Sequence, residues 1–280
     1  METMEKKKMA VVTGAGGTLC GPIAIDLAKQ GFGVVLIGRT EAKLEKTAEQ
    51  IRLAGGECIV ALGDVKDENR MREIRDDAFR RFGPCRVLVN GAGGNQMDAI
   101  TTVNEFEPAE LEPTHDFRGF FDLDMSRFRD VIDINIMGTV IPTKVFAPDM
   151  IRAGGGSIVN FASMNTYRPL SRVPAYACAK AAVSNWTQWI AAYLAPAGIR
   201  VNAIAPGFFV NERSRKRLMT PDGGLTPRGE HIHYNTPMHR FGQAEELLGC
   251  LNWLIDDAKA GFVTGITVPV DGGFLCSAGL

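Results

Sequence analysis

Short apolar runs recur along the chain, and most are followed by a stretch with helical spacing. The runs read MAVVTG from Met9, GVVLIG from Gly33, CIVALGD from Cys58, RVLVNG from Arg86, SIVNFAS from Ser157, IRVNAIA from Ile199 and GITVPVDGG from Gly265. Most are apolar on both faces, as strands covered by helices on both sides must be. The segments EAKLEKTAEQIRLAGG and DENRMREIRDDAFRRFG carry helix-period apolar residues and end in glycine, the usual helix stop. Repeated strand and helix predict an α/β fold, a doubly wound parallel sheet of about seven strands with helices on both faces. Residues 1–280 are expected to form one domain. Two long polar stretches break the alternation, an insertion at 94–123 and a segment at 208–241. Loops of that length in a compact domain are functional lids or disordered segments.

Composition narrows the function. A net charge of −1 leaves no broad basic field for nucleic acid or a membrane surface. Six scattered cysteines without a CxxC pair suit reduced thiols in the cytoplasm. No long apolar segment follows the charged start METMEKKKM, so neither a signal peptide nor a membrane span is expected. His231 and His233 in HIHY lack the Cys or Glu partners that would complete a closed metal site, so no metal is expected. The acidic run NEFEPAELEPTHDF reads as a solvated flap, and FRRFG and ERSRKR as exposed helix faces. Trp186 and Trp189 read as packing or oligomer contacts.

Candidate chemistry begins at TGAGGTLCG, residues 13–21, between the first strand and a helix. That context suits a phosphate site at a helix N-terminus, although a plain turn would look similar. Gly14 and Gly16 begin a GxGxxG pattern that ends on Leu19, while a TGxxxGxG pattern meets Thr18 and Cys20 in place of glycines. Both replacements are small, and the Thr18 hydroxyl is expected to cap the helix, with Pro22 tolerated in its first turn. In YACAK, Tyr176 and Lys180 lie one helical turn apart, with Pro174 at the first helical position. A nearby ammonium and a helix N-terminus both favour the phenolate, so a lowered pKa is expected for Tyr176. Ser163 closes the fifth strand, where open α/β sheets bind ligands. Asn135 is an amide in a mostly apolar helical segment, which is also how a satisfied core residue reads.

These residues, taken together and in order, resemble the short-chain dehydrogenase/reductase family over nearly the whole chain. The signatures are the loop at Thr13, Asp64-Val65, the NAG-type motif at Asn90, then Asn135, Ser163, Tyr176 with Lys180, Pro206-Gly207 and the terminal DGG. Departures are Thr18, Cys20, Gly91 for a second asparagine, and Asn211 for the usual threonine after Pro-Gly. The resemblance implies a Rossmann-like NAD(P)-dependent oxidoreductase acting on a CH–OH group, with Asn135, Ser163, Tyr176 and Lys180 catalytic. Tyr176 would give a proton to the substrate carbonyl, Ser163 would bond the same oxygen, and Asn135 would hold a water linking Lys180 to solvent. Lys180 would also bind the nicotinamide ribose.

The family further implies a cofactor site of Gly14, Gly16, Gly17, Thr18, Leu19, Arg39, Thr40, Asp64, Val65, Asn90, Gly91, Ala92, Tyr176, Lys180, Pro206, Gly207 and Phe209. The second strand ends in Gly38, Arg39 and Thr40, with no carboxylate to accept from a ribose 2′-hydroxyl. Arg39 can pair with a 2′-phosphate, so NADP is favoured over NAD.

The phrases NGAGGN, FFDLD, SMN, VPAY, NAIAPGFF, TPMHRFG and EELLG are similar to the D-mannonate oxidoreductase branch, the D-fructuronate reductases. That implies a sugar-acid substrate near Asn95, Ser163, Asn165, Tyr176, Asn211 and Arg215, under a lid at 208–241. Arg215 is chosen for the carboxylate over Arg213, Arg217, Arg168 and Arg172, because a helix would place it on the same face as Asn211. A ketogluconate or other sugar-derived ketone, or a non-catalytic dinucleotide sensor, is the alternative. Members of the family are commonly tetramers, which implies a homotetramer, and residues 174–196 offer a helix for the interface.

Overall fold

The computed structural model describes residues 8–210 and 212–277, without the side chains of Glu212, Arg213 and Lys216. Seven parallel strands form one sheet in the order β3-β2-β1-β4-β5-β6-β7. They are β1 (Met9–Thr13), β2 (Gly33–Gly38), β3 (Glu57–Leu62), β4 (Cys85–Asn90), β5 (Gly156–Phe161), β6 (Ile199–Pro206) and β7 (Thr267–Val270). Each matches an apolar run of the sequence, and β1, β5 and β6 are buried along their whole length. The order reverses between β1 and β4. Crossovers leave there in opposite directions, and a crevice opens beyond the strand ends.

Helices cover both faces. Helices α1 (Cys20–Lys29), α2 (Glu41–Leu53) and α8 (Leu248–Ile255) pack one core with Ile23, Leu27, Leu44, Ile51, Leu251 and Leu254. Helices α3 (Glu68–Phe82), α4 (Met125–Arg152) and α5 (Pro174–Leu194) pack the other with Met71, Phe82, Phe146, Met150, Ile190 and Leu194. Gly55 follows α2 at φ 75° and Gly83 caps α3 at φ 85°, so the glycine stops act through left-handed backbone.

The two polar stretches are ordered by their own contacts. The insertion at 94–123 holds two single 3₁₀ turns, Met97–Ala99 and Pro108–Leu111. Arg118 ties it together through Asp98 at 3.1 Å and the Met97 carbonyl at 2.7 Å. The expected solvated flap is exposed at most positions, but Glu110 is buried and accepts from the Phe121 amide at 2.7 Å. The segment 208–241 carries α6 (Glu212–Leu218) and α7 (Pro227–Asn235), with a short helix α9 (Asp257–Ala260) further along the chain. Its ends meet in a bridge of Phe209 to Gly242, with the Gly242 amide on the Phe208 carbonyl at 2.9 Å. It therefore rises from the sheet and returns to one point. Among the described residues no helix is long and apolar enough to cross a membrane, and all six cysteines are free.

Candidate active site

The loop after β1 shows why small residues recur in it. Gly14 stands at φ 70°, and a Cβ there would meet the Gly91 carbonyl at 2.9 Å. A Cβ on Gly16 would strike Lys43 at 2.7 Å. The Gly17 amide closes the turn on the Gly14 carbonyl at 2.9 Å. Thr18 does not cap α1. The helix begins one residue later with Leu19 at the cap position, and no side chain accepts from its first amides. The Gly21 amide bonds the Gly17 carbonyl at 2.8 Å and Pro22 has no N–H, so a phosphate oxygen would take the remaining amides of this turn, as at other helix N-termini. The glycine cradle and the uncapped helix therefore fit a dinucleotide pyrophosphate.

Thr13 joins this loop to the one after β4. Its Oγ1 accepts from the amides of Gly91 at 3.0 Å and Ala92 at 3.1 Å, and donates to the Val89 carbonyl at 3.4 Å. Two of the family departures have a single cause. A Cβ on Gly91 would lie 2.1 Å from the sulfur of Cys20, so the thiol fills the space a larger residue 91 would need. Burial pushes that thiol up to about 12, with the Lys180 charge opposing, so it is a neutral filler.

Asn90 does not offer its side chain to the crevice. Its Nδ2 donates to Thr143 Oγ1 at 3.0 Å and Asn160 Oδ1 at 2.9 Å, and Asn160 donates to Thr187 at 2.9 Å. This buried line links α4, β4, β5 and α5. Asp64 is half-buried and accepts from the Lys66 amide at 3.0 Å, and Val65 is buried against Gly138. Arg39 and Thr40 are exposed at the end of β2. The Gly207 amide donates to the Val270 carbonyl at 2.9 Å, which fixes Pro206-Gly207 against the terminal DGG. Phe208 and Phe209 line a cavity of about 400 Å³ with Thr236, Met238 and Asp271.

The four predicted catalytic residues converge at the ends of β4 and β5. Pro174 opens α5, which places Tyr176 in the first turn and Lys180 one turn later. The Lys180 ammonium lies 5.6 Å from the Tyr176 ring centre and donates to the Phe161 carbonyl at 2.6 Å. A Cβ on Gly93 would meet Asn135 Oδ1 at 2.5 Å and Lys180 Nζ at 3.4 Å, so these groups share one corner. Asn135 is fully buried. It donates to the Gly94 and Val131 carbonyls, both at 2.8 Å, and accepts from the Gly94 amide at 3.3 Å.

Two expectations change here. Burial raises the Tyr176 phenol, with the Ser163 hydroxyl opposing, so the expected lowering is not found and desolvation wins. Burial also brings Lys180 down to about 8. Asn165 was expected at the substrate but is buried behind Ser163. Its backbone amide and Nδ2 both donate to Ser163 Oγ, at 3.2 and 3.3 Å, and its Oδ1 accepts from the Leu170 amide at 3.0 Å. With both Ser163 lone pairs engaged, its hydroxyl proton must point elsewhere.

The remaining expected substrate residues are less constrained. Asn95 is half-buried with its Oδ1 on the Gln96 amide at 2.9 Å. Arg215 is exposed on α6, while Asn211 and the Arg213 side chain lie outside the described residues. Arg168 bonds the Ser277 carbonyl at 3.1 Å. Among the described residues no three His, Cys, Asp or Glu side chains gather as a metal would require.

Residues 8–220 match the short chain dehydrogenase family. The chain belongs to that family. As a member it is an oxidoreductase of CH–OH groups that works with a nicotinamide cofactor. It is 42% identical over 273 residues to the uncharacterized oxidoreductase UxuB of Bacillus subtilis, covering 98% of this chain and 96% of that protein. An uncharacterized oxidoreductase of Haemophilus influenzae is 43% identical over 275 residues, with 98% and 95% covered. A crystal structure of a proposed D-mannonate oxidoreductase from Haemophilus influenza, with bound NAD, superposes with a TM-score of 0.91 at 41% identity, covering 98% and 97% of the two chains.

The family motifs did not announce the Cys20–Gly91 contact, although two departures in adjoining loops were its signal. Gly91→Ala should cost about 1–3 kcal/mol through overpacking. Cys20→Gly in the same chain should recover part of that loss, giving a coupling of at least about 1 kcal/mol in urea unfolding. Strictly additive effects would show that the two residues do not share the space.

Proposed function

We propose that the enzyme moves a hydride between a nicotinamide and a sugar-acid ketone/alcohol pair, D-fructuronate and D-mannonate. The convergence of Ser163, Tyr176 and Lys180 beside the glycine cradle carries the reading of the chemistry. The likeness to the Haemophilus structure supports the choice of substrate.

A bound nicotinamide supplies or accepts the hydride. Tyr176 holds the proton at Oη and gives it to the substrate carbonyl oxygen, and takes it back in the alcohol direction. Its raised pKa keeps that proton in place at rest, which suits carbonyl reduction. Ser163, whose hydroxyl bonds Tyr176 at rest, turns its O–H to the same oxygen, where negative charge grows. Asn165 sets that direction by donating twice to Ser163 Oγ, and so positions the serine. Lys180 steadies the developing phenolate and holds the nicotinamide ribose. Asn135 fixes the Gly93–Gly94 turn beside Lys180. The segment 208–241 closes over the substrate, with Asn95 at the facing rim.

The absence of a carboxylate at the end of β2 and the exposed Arg39 favour NADP, although the Haemophilus relative holds NAD. Trp189 and Tyr193, exposed along α5 and stacked on each other and on the half-buried Trp186, support a homotetramer built through that helix. Six free cysteines fit a cytoplasmic enzyme.

Tyr176→Phe should lower turnover of D-fructuronate by at least about a hundredfold, while cofactor binding survives. Near-normal turnover would remove Tyr176 from its role. Fluorescence titration should give a smaller Kd for NADPH than for NADH, and equal or tighter NADH binding would defeat the assignment of Arg39.

A further inference from the structure

The insertion at 94–123 runs along the catalytic corner before it reaches solvent. Gly94 starts it on Asn135, whose Nδ2 donates to the Gly94 carbonyl at 2.8 Å. Ala99 is fully buried in a small apolar cluster with Val131 of α4 and Ala175 of α5, and Tyr176 packs against that cluster. The Thr101 amide then donates to the Arg172 carbonyl at 3.0 Å. Asn104 Oδ1 accepts from Arg172 Nε at 2.7 Å. Residues 94–104 therefore touch α4, the first turn of α5 and the residue two places before that helix.

The start of α5 has no cap of its own. Val173 stands at the cap position and makes no side-chain hydrogen bond to the helix. Just outside it, Arg172 stands at φ 74°, a left-handed conformation uncommon outside glycine. A residue keeps such a conformation where its surroundings over-determine it. The ties from Thr101 and Asn104 do so, one on the backbone and one on the side chain. The connector from Ser163 to Tyr176 is also pinned at its other end. There the Leu170 amide donates to Asn165 Oδ1 at 3.0 Å, and Asn165 donates to Ser163 Oγ at 3.2 and 3.3 Å. Tyr176 lies about one helical turn beyond Arg172, so a shift at Arg172 is carried to its ring.

We propose that the insertion positions the proton donor: Ala99 seats the first turn of α5, and Asn104, acting through Arg172, holds Tyr176 in register with Ser163. Asn104 is a positioning residue and acts only through Arg172. The proposal rests on Tyr176 as the proton donor of the reading above, and not on the choice of sugar acid. Residues 94–104 are then a brace, and the exposed part of the insertion begins beyond them. A small misplacement of a reacting group is enough to cost a large factor in rate, which gives an exposed contact at Asn104 its leverage.

The test uses kinetics on D-fructuronate and amide hydrogen exchange, both on the whole enzyme. Asn104 is exposed, so its variants should fold with a Tm close to that of the wild type. Asn104→Ala should lower kcat at least about tenfold and leave KM within about twofold, because the loss falls on the transition state. Asn104→Asp keeps the acceptor for Arg172 and should recover most of the wild-type kcat. Arg172→Gly keeps the left-handed backbone without the guanidinium, so it should slow the enzyme as Asn104→Ala does. The double variant should be no slower than either single one, since both remove the same tie. In Asn104→Ala the amides of residues 175–180 should exchange faster, with those of β6 unchanged. A wild-type kcat in Asn104→Ala, or an Asn104→Asp enzyme as slow as Asn104→Ala, would overturn the proposal. A raised KM at constant kcat would also overturn it, by making Asn104 a substrate contact. If the wild type does not reduce D-fructuronate, the sugar-acid reading fails and the exchange rates decide. Faster exchange confined to 175–180 then supports the brace, and unchanged exchange there defeats it.

Discussion

The hydroxyl of Thr13 holds the crevice in register. It sits at the end of β1, paired with Asn90 across the reversal point of the sheet, and takes the amides of Gly91 and Ala92. Two loops from strands far apart in sequence are thereby joined at a few ångströms. Around that join Gly14, Gly16, Gly91 and Gly93 have no room for a side chain, and α1 begins without a side-chain cap. The candidate catalytic residues gather one strand further on, where β5 leads to Ser163 and α5 carries Tyr176 and Lys180. Asn90 ties the two regions together beneath the surface through Asn160 and Thr187.

Burial then sets the protonation states. The same desolvation raises the phenol of Tyr176 and lowers the ammonium of Lys180 to about 8. Both shifts favour neutral groups, so in this state the pair is a phenol beside a weakened ammonium. In the proposed reaction, a proton is therefore held on Tyr176 until negative charge forms at a substrate oxygen. Ser163, with its lone pairs committed to Asn165, can offer that oxygen only its proton.

Most of the fold was legible in the sequence because parallel strands buried on both faces must be continuously apolar, and all seven runs became strands. The helix stops were legible for an equally local reason, since a left-handed residue after a helix favours glycine. The pairing of Tyr176 with Lys180 was legible through spacing, since the two share a helix face whatever the rest of the chain does. What depended on contacts between distant segments was not. Thr18 looked like a cap, but the helix starts at the following residues. Asn165 looked like a substrate ligand, but it packs behind Ser163. The balance between burial and charge at Tyr176 could not be weighed before its surroundings were known. Gly91 and Cys20 each read as a separate departure, and only their proximity makes them one.

The central claim is that one substrate oxygen lies between Tyr176 and Ser163 at the ends of the strands. A crystal structure of the ternary complex with reduced cofactor or its oxidised form and D-mannonate tests it most directly. The account predicts a single hydroxyl oxygen of D-mannonate within hydrogen-bond distance of both Tyr176 Oη and Ser163 Oγ. D-mannonate bound in the crevice with no oxygen shared by those two side chains would contradict it.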